Sequence, residues 1–137
     1  MLKNCSFSRI FSTSMSHPAL PIKIVNPHTG KFYQTYALID TGADECALPA
    51  SIASIIGHNL TQGTAKYIGT GNGTTASYSH TTTLEIFNPD TNLLTFTVND
   101  MPVDYMPNLN IALIGVRNFL SNYKLHLDYP AQKFSIF

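Results

Sequence analysis

Hydrophobic and polar residues alternate with the period of a β-strand along most of the chain. LPIKIVN (residues 20–26) and KFYQTYALID (31–40) predict two strands, and PHTG between them predicts a turn. TAKYIGTGNGTTASYSHTTTLEIF (64–87) predicts two strands around a glycine-rich tip, because glycine and asparagine adopt positive φ at little cost. LLTFTVND (93–100) predicts another strand. These stretches together predict an all-β domain of consecutive hairpins.

The C-terminal third continues this pattern with one change of period. Residues 101–110 contain prolines and are expected to be irregular. LNIALIG (109–115) is almost continuously apolar, which is typical of a strand buried on both faces. VRNFLSNY (116–123) predicts a short helix, and KLHLDYPAQKFSIF (124–137) predicts a closing hairpin.

A helical period also follows the strand that ends at residue 40. Leu48, Ile52 and Ile56 lie at helical spacing, Pro49 suits a first turn and Gly57 suits a stop. We therefore expect an all-β fold with one or two short helices and no internal repeat.

The composition narrows the possible partners. The 137 residues suit one domain, and eight Lys and Arg balance eight Asp and Glu without forming a charged face or tail. Nucleic acid and an anionic membrane are therefore not expected as partners. No apolar run approaches the roughly 20 residues that span a bilayer. The domain is expected to be soluble, with the cytoplasm favoured and the localisation otherwise unknown.

The first nineteen residues differ from the rest, since they are rich in serine and contain no acid. This composition can mark an organelle transit peptide or a propeptide, although it lacks the apolar core of a secretory signal. The favoured interpretation is a tail or an N-terminal extension, with Met15 as the real start. The predicted domain then covers residues 20–137.

The cysteines and histidines do not suggest a metal site or a cofactor. Cys5 and Cys46 lack metal-like spacing, and the five histidines are scattered. A disulfide between the two cysteines is not expected, since one falls in the tail and the other in the domain. Cys46 follows two acids and precedes Ala47 and Leu48, so packing is favoured over a nucleophilic role.

The candidate chemistry lies where the apolar stretch Ala37, Leu38 and Ile39 ends on an acid, Asp40. An Asp-Thr-Gly tripeptide at a strand end is often only a turn in which the carboxylate caps backbone N–H groups. Asp40 alone is therefore ambiguous between a turn cap and a reactive group.

Three separated stretches resemble, in the same order, parts of the retropepsin family, the single-lobed aspartic proteases of retroviruses and their cellular and bacterial relatives. ALIDTGADECALP (37–49) resembles the catalytic loop, and KYIGTGNGTT (66–75) resembles the glycine-rich flap. ALIGVRNFLSNYKLHLDY (112–129) resembles the buried strand, glycine, helix and closing strand. The resemblance covers residues 20–137 and implies a single-lobe acid-protease fold.

The resemblance also implies a mechanism and a homodimer. Amide hydrolysis requires one group to take a proton from water and another to give one to the carbonyl oxygen, and two carboxylates that share a proton can do both. This chain has one Asp-Thr-Gly, so a two-fold dimer would place Asp40 opposite its own copy. The implied partners are a second copy and a polypeptide substrate with apolar side chains flanking the cut. No metal or cofactor is implied.

The family pattern assigns roles to further positions. By resemblance, Thr41 braces the loop across the two-fold axis, and Gly42 allows close approach of substrate. The implied substrate-binding residues are Ala43, Asp44 and Glu45 on the cleft floor and Ile68, Gly69, Thr70 and Gly71 in the flap. Gly115 and Arg117 are implied as structural support.

Two departures from the family pattern bear on these roles. Val116 separates Gly115 from Arg117, whereas the family usually places Arg or Leu directly after the glycine, so pairing of Arg117 with Asp44 stays open. The stretch between the loop and the flap is also longer than in the retroviral members, which favours the stand-alone cellular or bacterial type.

Two hypotheses for the function therefore remain. The leading one is a homodimeric aspartic endopeptidase that activates water between two Asp40 carboxylates. The alternative is a catalytically silent acid-protease fold that serves peptide binding or dimerisation.

Overall fold

The fold consists mainly of β-strands. A computed structural model describes residues 1–10, 15–71 and 73–137 of the chain. Within these residues the chain forms ten strands, one short α-helix and two 3₁₀ turns. The elements are β1 (Leu2–Ser6), β2 (Ala19–Val25), β3 (Phe32–Ile39), β4 (Ala47–Pro49), α1 (Ser51–Ile55), a 3₁₀ turn (Leu60–Gln62), β5 (Thr64–Thr70), β6 (Gly73–Phe87), β7 (Leu94–Met106), β8 (Ala112–Ile114), a second 3₁₀ turn (Leu120–Asn122), β9 (Leu125–Asp128) and β10 (Lys133–Ile136).

Six strands close into a barrel in the order β2, β3, β8, β4, β7, β6, and β2 pairs with β6 to complete the circle. The alternation along these strands sends one set of side chains inward, where Ile24, Ile86, Ile114 and Tyr105 are fully buried. Burial of this apolar set is the main driving force for closure of the barrel. The prediction of an all-β fold is confirmed.

Two parallel pairings bring the functional segments to one edge of the barrel. β3 runs parallel to β8 with Ile39 opposite Ile114, and β4 runs parallel to β7. Parallel neighbours end on the same side of a sheet. Asp40, which follows β3, and Gly115, which follows β8, therefore leave the barrel side by side.

A second sheet of three strands, in the order β1, β10, β9, lies outside the barrel. Leu2 and Cys5 on β1 are buried, and the Phe7 ring packs edge-on against Tyr129 at 5.2 Å between centroids. Residues 1–19 were expected to be a tail, but β1 pairs with β10 of the C-terminal hairpin and buries its apolar side chains there. Residues 11–14 of that segment lie outside the described residues.

The hairpins predicted from the alternating pattern are confirmed, with β2 paired to β3, β5 to β6 and β9 to β10. The helix expected near residues 49–57 is shorter than predicted, since it covers Ser51–Ile55 and Pro49 belongs to β4. Asn72, in the predicted hairpin tip, lies outside the described residues.

Two other predictions were wrong, although residues 107–110 of the stretch expected to be irregular do lie outside any strand. Residues 101–106 are not irregular but continue β7, because their backbone pairs with β6, as in Val103 opposite His80. The helix expected over residues 116–123 is reduced to the 3₁₀ turn at Leu120–Asn122. No helix among the described residues is long and apolar enough to cross a membrane.

Candidate functional site

Asp40 is held at the barrel edge by the backbone of its neighbours. Its N–H donates to the carbonyl oxygen of Ile114 at 3.0 Å, which continues the pairing of β3 with β8 for one residue. Ala37 and Ile39 before it are buried, whereas Asp40 is partly exposed. The apolar strand thus ends by bringing one carboxylate out of the core.

The loop after Asp40 orients that carboxylate. The N–H of Gly42 donates to Oδ1 of Asp40 at 2.9 Å, and the N–H of Ala43 donates to the Asp40 carbonyl oxygen at 3.3 Å. This Asx-type turn fixes the side chain and leaves Thr41 and Gly42 exposed. A Cβ added at Gly42 would lie 3.3 Å from Oδ1 of Asp40, so a larger residue would crowd the carboxylate.

Gly115 packs directly beneath the next part of the loop. A Cβ at this position would collide with the carbonyl group of Glu45 and lie 2.9 Å from the Ala43 carbonyl oxygen. The absence of a side chain lets the two segments bond to each other, since the Val116 N–H donates to Ala43 at 2.9 Å. Gly115 therefore lets β8 and the loop pack in direct backbone contact.

The cysteines have packing roles in the structure. Both are buried and free, so no disulfide joins them, as predicted. Cys46 Sγ accepts a 3.4 Å hydrogen bond from the Gly115 N–H, and burial raises the pKa of its thiol. A raised pKa disfavours the nucleophilic thiolate.

The hairpin of β5 and β6 lies across a cavity from this loop. Among the described residues β5 pairs with β6 only, from Thr64 opposite Ser79 to Thr70 opposite Gly73, so it forms an edge of its sheet. The other edge of such a strand is open to pairing with an extended peptide. Tyr67 on this strand is 81% exposed.

The cavity between loop and hairpin has a volume of about 560 Å³. That size suits a drug-sized ligand or a few peptide side chains. Its lining combines apolar side chains with five charged ones, and it includes several predicted site residues. The lining consists of Gly42, Ala43, Asp44, Glu45, Ala47, Lys66, Tyr67, Ile68, Gly69, Asp104, Met106, Leu109, Leu113 and Arg117.

The structure thus brings together the two halves of the predicted site, the loop and the hairpin. Asp40, Thr41, Gly71 and Gly115 are not part of the lining. Asp40 and Thr41 lie beside the cavity at the loop start, and Gly71 lies at the hairpin tip. Thr70 ends β5 next to this tip.

Four charged side chains form a cluster at one end of the cavity. Lys66 Nζ lies 2.7 Å from Oε2 of Glu45 and 3.1 Å from Oδ1 of Asp104, and Arg117 Nη1 lies 2.7 Å from Oε1 of Glu45. The Lys66 contact to Asp104 is an ion pair without hydrogen-bond alignment, since Oδ1 accepts no hydrogen bond from a described residue.

The two acids of this cluster differ in protonation. Burial raises the pKa of Asp104, and the neighbouring Glu45 carboxylate adds to the rise. The hydrogen bond from Lys66 is the main cause that lowers the pKa of Glu45. When the pH falls, the first proton therefore goes to Asp104, while Glu45 stays ionised between two cations.

Arg117 does not bind Asp44 through its side chain. Its guanidinium pairs with Glu45, and only its backbone N–H reaches Asp44, donating to the carbonyl oxygen at 2.7 Å. The side chain is 68% exposed. The pairing of Arg117 with Asp44 that the sequence left open is therefore not found, and the side chain pairs with Glu45 instead.

Several cavity residues were missed from the sequence. Lys66 and Tyr67 directly precede the predicted flap position Ile68, and they could have been found by extending the alternation of the hairpin backward. Asp104 and Met106 fall in the stretch that was expected to be irregular. Only the β7 pairing places them at the cavity.

The described residues contain no group of three or more His, Cys, Asp or Glu side chains that could hold a metal ion. No family model matches the chain, and no curated protein is similar to it.

Proposed function

We propose that the chain is a retropepsin-like aspartic endopeptidase that acts as a homodimer. The observation that carries the proposal is the position of Asp40: it ends a barrel strand and starts a loop that lines a cavity opposite an edge-strand hairpin. An extended peptide could add to the open edge of β5 while its side chains enter the cavity. The carboxylate, partly exposed, is available to a substrate carbonyl.

The proposed reaction uses one Asp40 from each subunit. The two carboxylates share one proton because like charges about 3 Å apart do not ionise together easily. The ionised member takes a proton from water, the oxygen of that water attacks the peptide carbonyl carbon, and the protonated member gives its proton to the carbonyl oxygen. Collapse of the tetrahedral intermediate breaks the C–N bond as the carboxyl group that took the water proton passes it to the amine nitrogen, while the other, now ionised, carboxylate accepts the proton of one hydroxyl. This scheme needs neither metal nor cofactor.

The loop and the hairpin have supporting roles in this proposal. The Gly42 N–H holds one Asp40 oxygen, so the other oxygen is left for water or substrate. Thr41, exposed beside it, would hydrogen-bond across the two-fold axis, as the resemblance implies. Closure of the hairpin from Ile68 to Gly71 would exclude bulk water from the reaction.

A subunit-mixing experiment tests both the acid and the dimer. Wild-type protein is mixed with a growing excess of Asp40→Asn, exchanged at low concentration, reconcentrated and assayed on a peptide library from pH 4 to 7. Because every mixed dimer holds one carboxylate, the activity should fall toward zero with the wild-type fraction. Excess Asp100→Asn, a change at an exposed strand position far along the sequence, is the matched control and should leave the activity intact.

Cleavage that persists in pure Asp40→Asn would overturn the endopeptidase assignment. Activity that the excess variant does not reduce would contradict the shared site.

The second candidate, a peptide-binding module without catalysis, is favoured by one observation: Asp40 is outside the lining of the cavity. A protein that binds peptides with the same affinity before and after Asp40→Asn, and cleaves none of them at any pH, would support this candidate instead.

A further inference from the structure

At the charged end of the cavity, the two cationic side chains are more exposed than the two carboxylates. Arg117 and Lys66 are 68% and 41% exposed, whereas Glu45 and Asp104 are 19% and 5% exposed. The two cations therefore form the surface that an incoming group meets, and the two carboxylates lie beneath them. A substrate would contact hydrogen-bond donors first.

Each of the two cations is held in place from below. Lys66 lies between Glu45 and Asp104, and Arg117 is paired with Glu45. Since an ammonium group has three donors and a guanidinium has five, both retain donors for a further partner. Fixing two flexible side chains in advance lowers the entropic cost of binding that partner.

Apart from Asp44, the rest of the cavity lining is largely apolar. Ala47, Ile68, Met106 and Leu113 line it next to the charged cluster. A side chain that combines an apolar stem with an acceptor at its tip matches this combination, because the stem can be buried while the tip meets Lys66 and Arg117.

We propose that this end of the cavity is a substrate subsite that selects a peptide side chain carrying a carboxylate, glutamate above all, through Lys66 and Arg117. The inference rests on the proposed function, since it assumes that the cavity receives a peptide. The subsite is separate from the positions flanking the cut, for which apolar side chains are expected.

The charge balance of the cluster agrees with an anionic ligand. With all four groups ionised their net charge is zero, and each carboxylate is already occupied by a cation. Burial raises the pKa of Asp104, so protonation there makes the cluster net positive at acidic pH. The other titratable groups nearby are the Asp44 carboxylate and the Tyr67 hydroxyl, which line the same cavity, and the buried Cys46 thiol, whose raised pKa keeps it neutral.

The test measures binding separately from cleavage. An apolar octapeptide with a fluorescent label is prepared with Glu, Gln, Leu or Lys at each position in turn. Affinities are measured by anisotropy for the catalytically impaired Asp40→Asn protein, and cleavage of the same peptides is measured for wild type. At one position Glu should bind about tenfold more tightly than Leu, the size of one charge-assisted hydrogen bond, with Gln between them and Lys weakest.

Two variants assign this preference to the cations. Lys66→Met should reduce the Glu preference to about twofold or less, and Arg117→Gln should reduce it in part. Lys124→Met, an exposed lysine outside the cavity, is the matched control and should retain the full preference. Circular dichroism checks that each variant is folded. If Lys66→Met is unfolded, the proposal is tested instead by the reduced Glu preference in Arg117→Gln and by the loss of the Glu preference of the Asp40→Asn protein at high salt.

The outcomes for the two proposals differ. Equal affinity for all four side chains at every position, or a preference for Lys, overturns the subsite, and cleavage of the apolar peptides would then leave the endopeptidase proposal standing. A Glu preference that Lys66→Met removes supports the subsite even if no peptide is cleaved. If no peptide binds and none is cleaved, both proposals fail.

Discussion

Asp104 lines the cavity and Asp40 lies beside it, and the surroundings of these two acids differ. Asp40 starts a loop, is partly exposed and is held through one oxygen by a backbone N–H. Asp104 lies inside a strand, is buried, and has a lysine and a second carboxylate as neighbours. The first arrangement presents a carboxylate to a ligand, while the second uses a carboxylate to hold other side chains.

The difference shows that charge alone does not identify a reactive acid. The buried Asp104 has the perturbed pKa that often marks functional sites. Burial and the neighbouring Glu45 carboxylate explain that shift, which the ion pair with Lys66 opposes. Asp40 acquires its proposed role from its position at a strand end and from the second Asp40 that the proposed dimer would place opposite it. Variants at the two acids should therefore fail in different ways.

The largest effect is expected for the first acid. Asp40→Asn keeps an oxygen that can accept from Gly42, so the loop should stay folded, yet the amide cannot act as acid or base. We expect kcat for peptide cleavage to fall at least 100-fold, the usual minimum for loss of an acid–base group. Asp104→Asn should act on KM instead, by less than tenfold. Steady-state kinetics on both variants measures the contrast, and equal losses of kcat would contradict it.

The next effect concerns Gly115, which supports both regions. In Gly115→Ala the new methyl group would collide with Glu45 and crowd the Ala43 carbonyl. Because those atoms are backbone, relief requires the loop to move, and we expect the free energy of unfolding to fall by about 2–3 kcal/mol. Gly69→Ala is the matched control, since a Cβ there has no neighbour within 4 Å.

Urea denaturation of the two glycine variants provides the comparison. A Gly115→Ala protein as stable as Gly69→Ala would show that the loop is not tightly packed on β8. The expected value for the control is within about 0.5 kcal/mol of wild type.

The two regions also differ in how far the sequence could predict them. Asp40 was predictable because its determinants are local: an apolar stretch, one acid and a turn-forming glycine within a few residues. The strands around it were predictable for the same reason, since alternation is read within each hairpin.

The Asp104 region was not predictable because its determinants are distant in the sequence. Asp104 contacts Lys66 from β5, and Glu45 lies in the loop, so pairing across strands decides the cluster. The prolines at residues 102 and 107 also suggested irregular chain, but the pairing with β6 overrides that local signal. Burial of Leu2 against the C-terminal hairpin was missed for the same reason.

A smaller effect is expected in how stability depends on pH when either acid of the charged cluster is replaced. The raised pKa of Asp104 means that the folded state binds more protons than the unfolded state as the pH rises above the ordinary aspartate value of about 3.9, so wild-type stability falls there. In Asp104→Asn this loss is absent. The free energy of unfolding of the variant should therefore rise relative to that of wild type as the pH increases from 4 to 7.

Glu45→Gln should show the opposite sign. The lowered pKa of Glu45 stabilises the folded state above the ordinary glutamate value of about 4.3, and this contribution is lost as the pH falls through the folded pKa. The free energy of unfolding of the variant should therefore fall relative to that of wild type as the pH rises. Thermal or urea unfolding from pH 3.5 to 7 measures both slopes, and slopes of the same sign would contradict the assignment of the proton to Asp104.

The smallest effect is expected at Arg117. Its guanidinium pairs with Glu45 but is 68% exposed, so solvent and salt screen the pair. The backbone N–H of Arg117 holds the Asp44 carbonyl regardless of the side chain. Arg117→Gln should therefore cost less than about 0.5 kcal/mol of unfolding free energy and less still in 0.5 M salt. A loss above about 2 kcal/mol would mean that the side chain braces the loop.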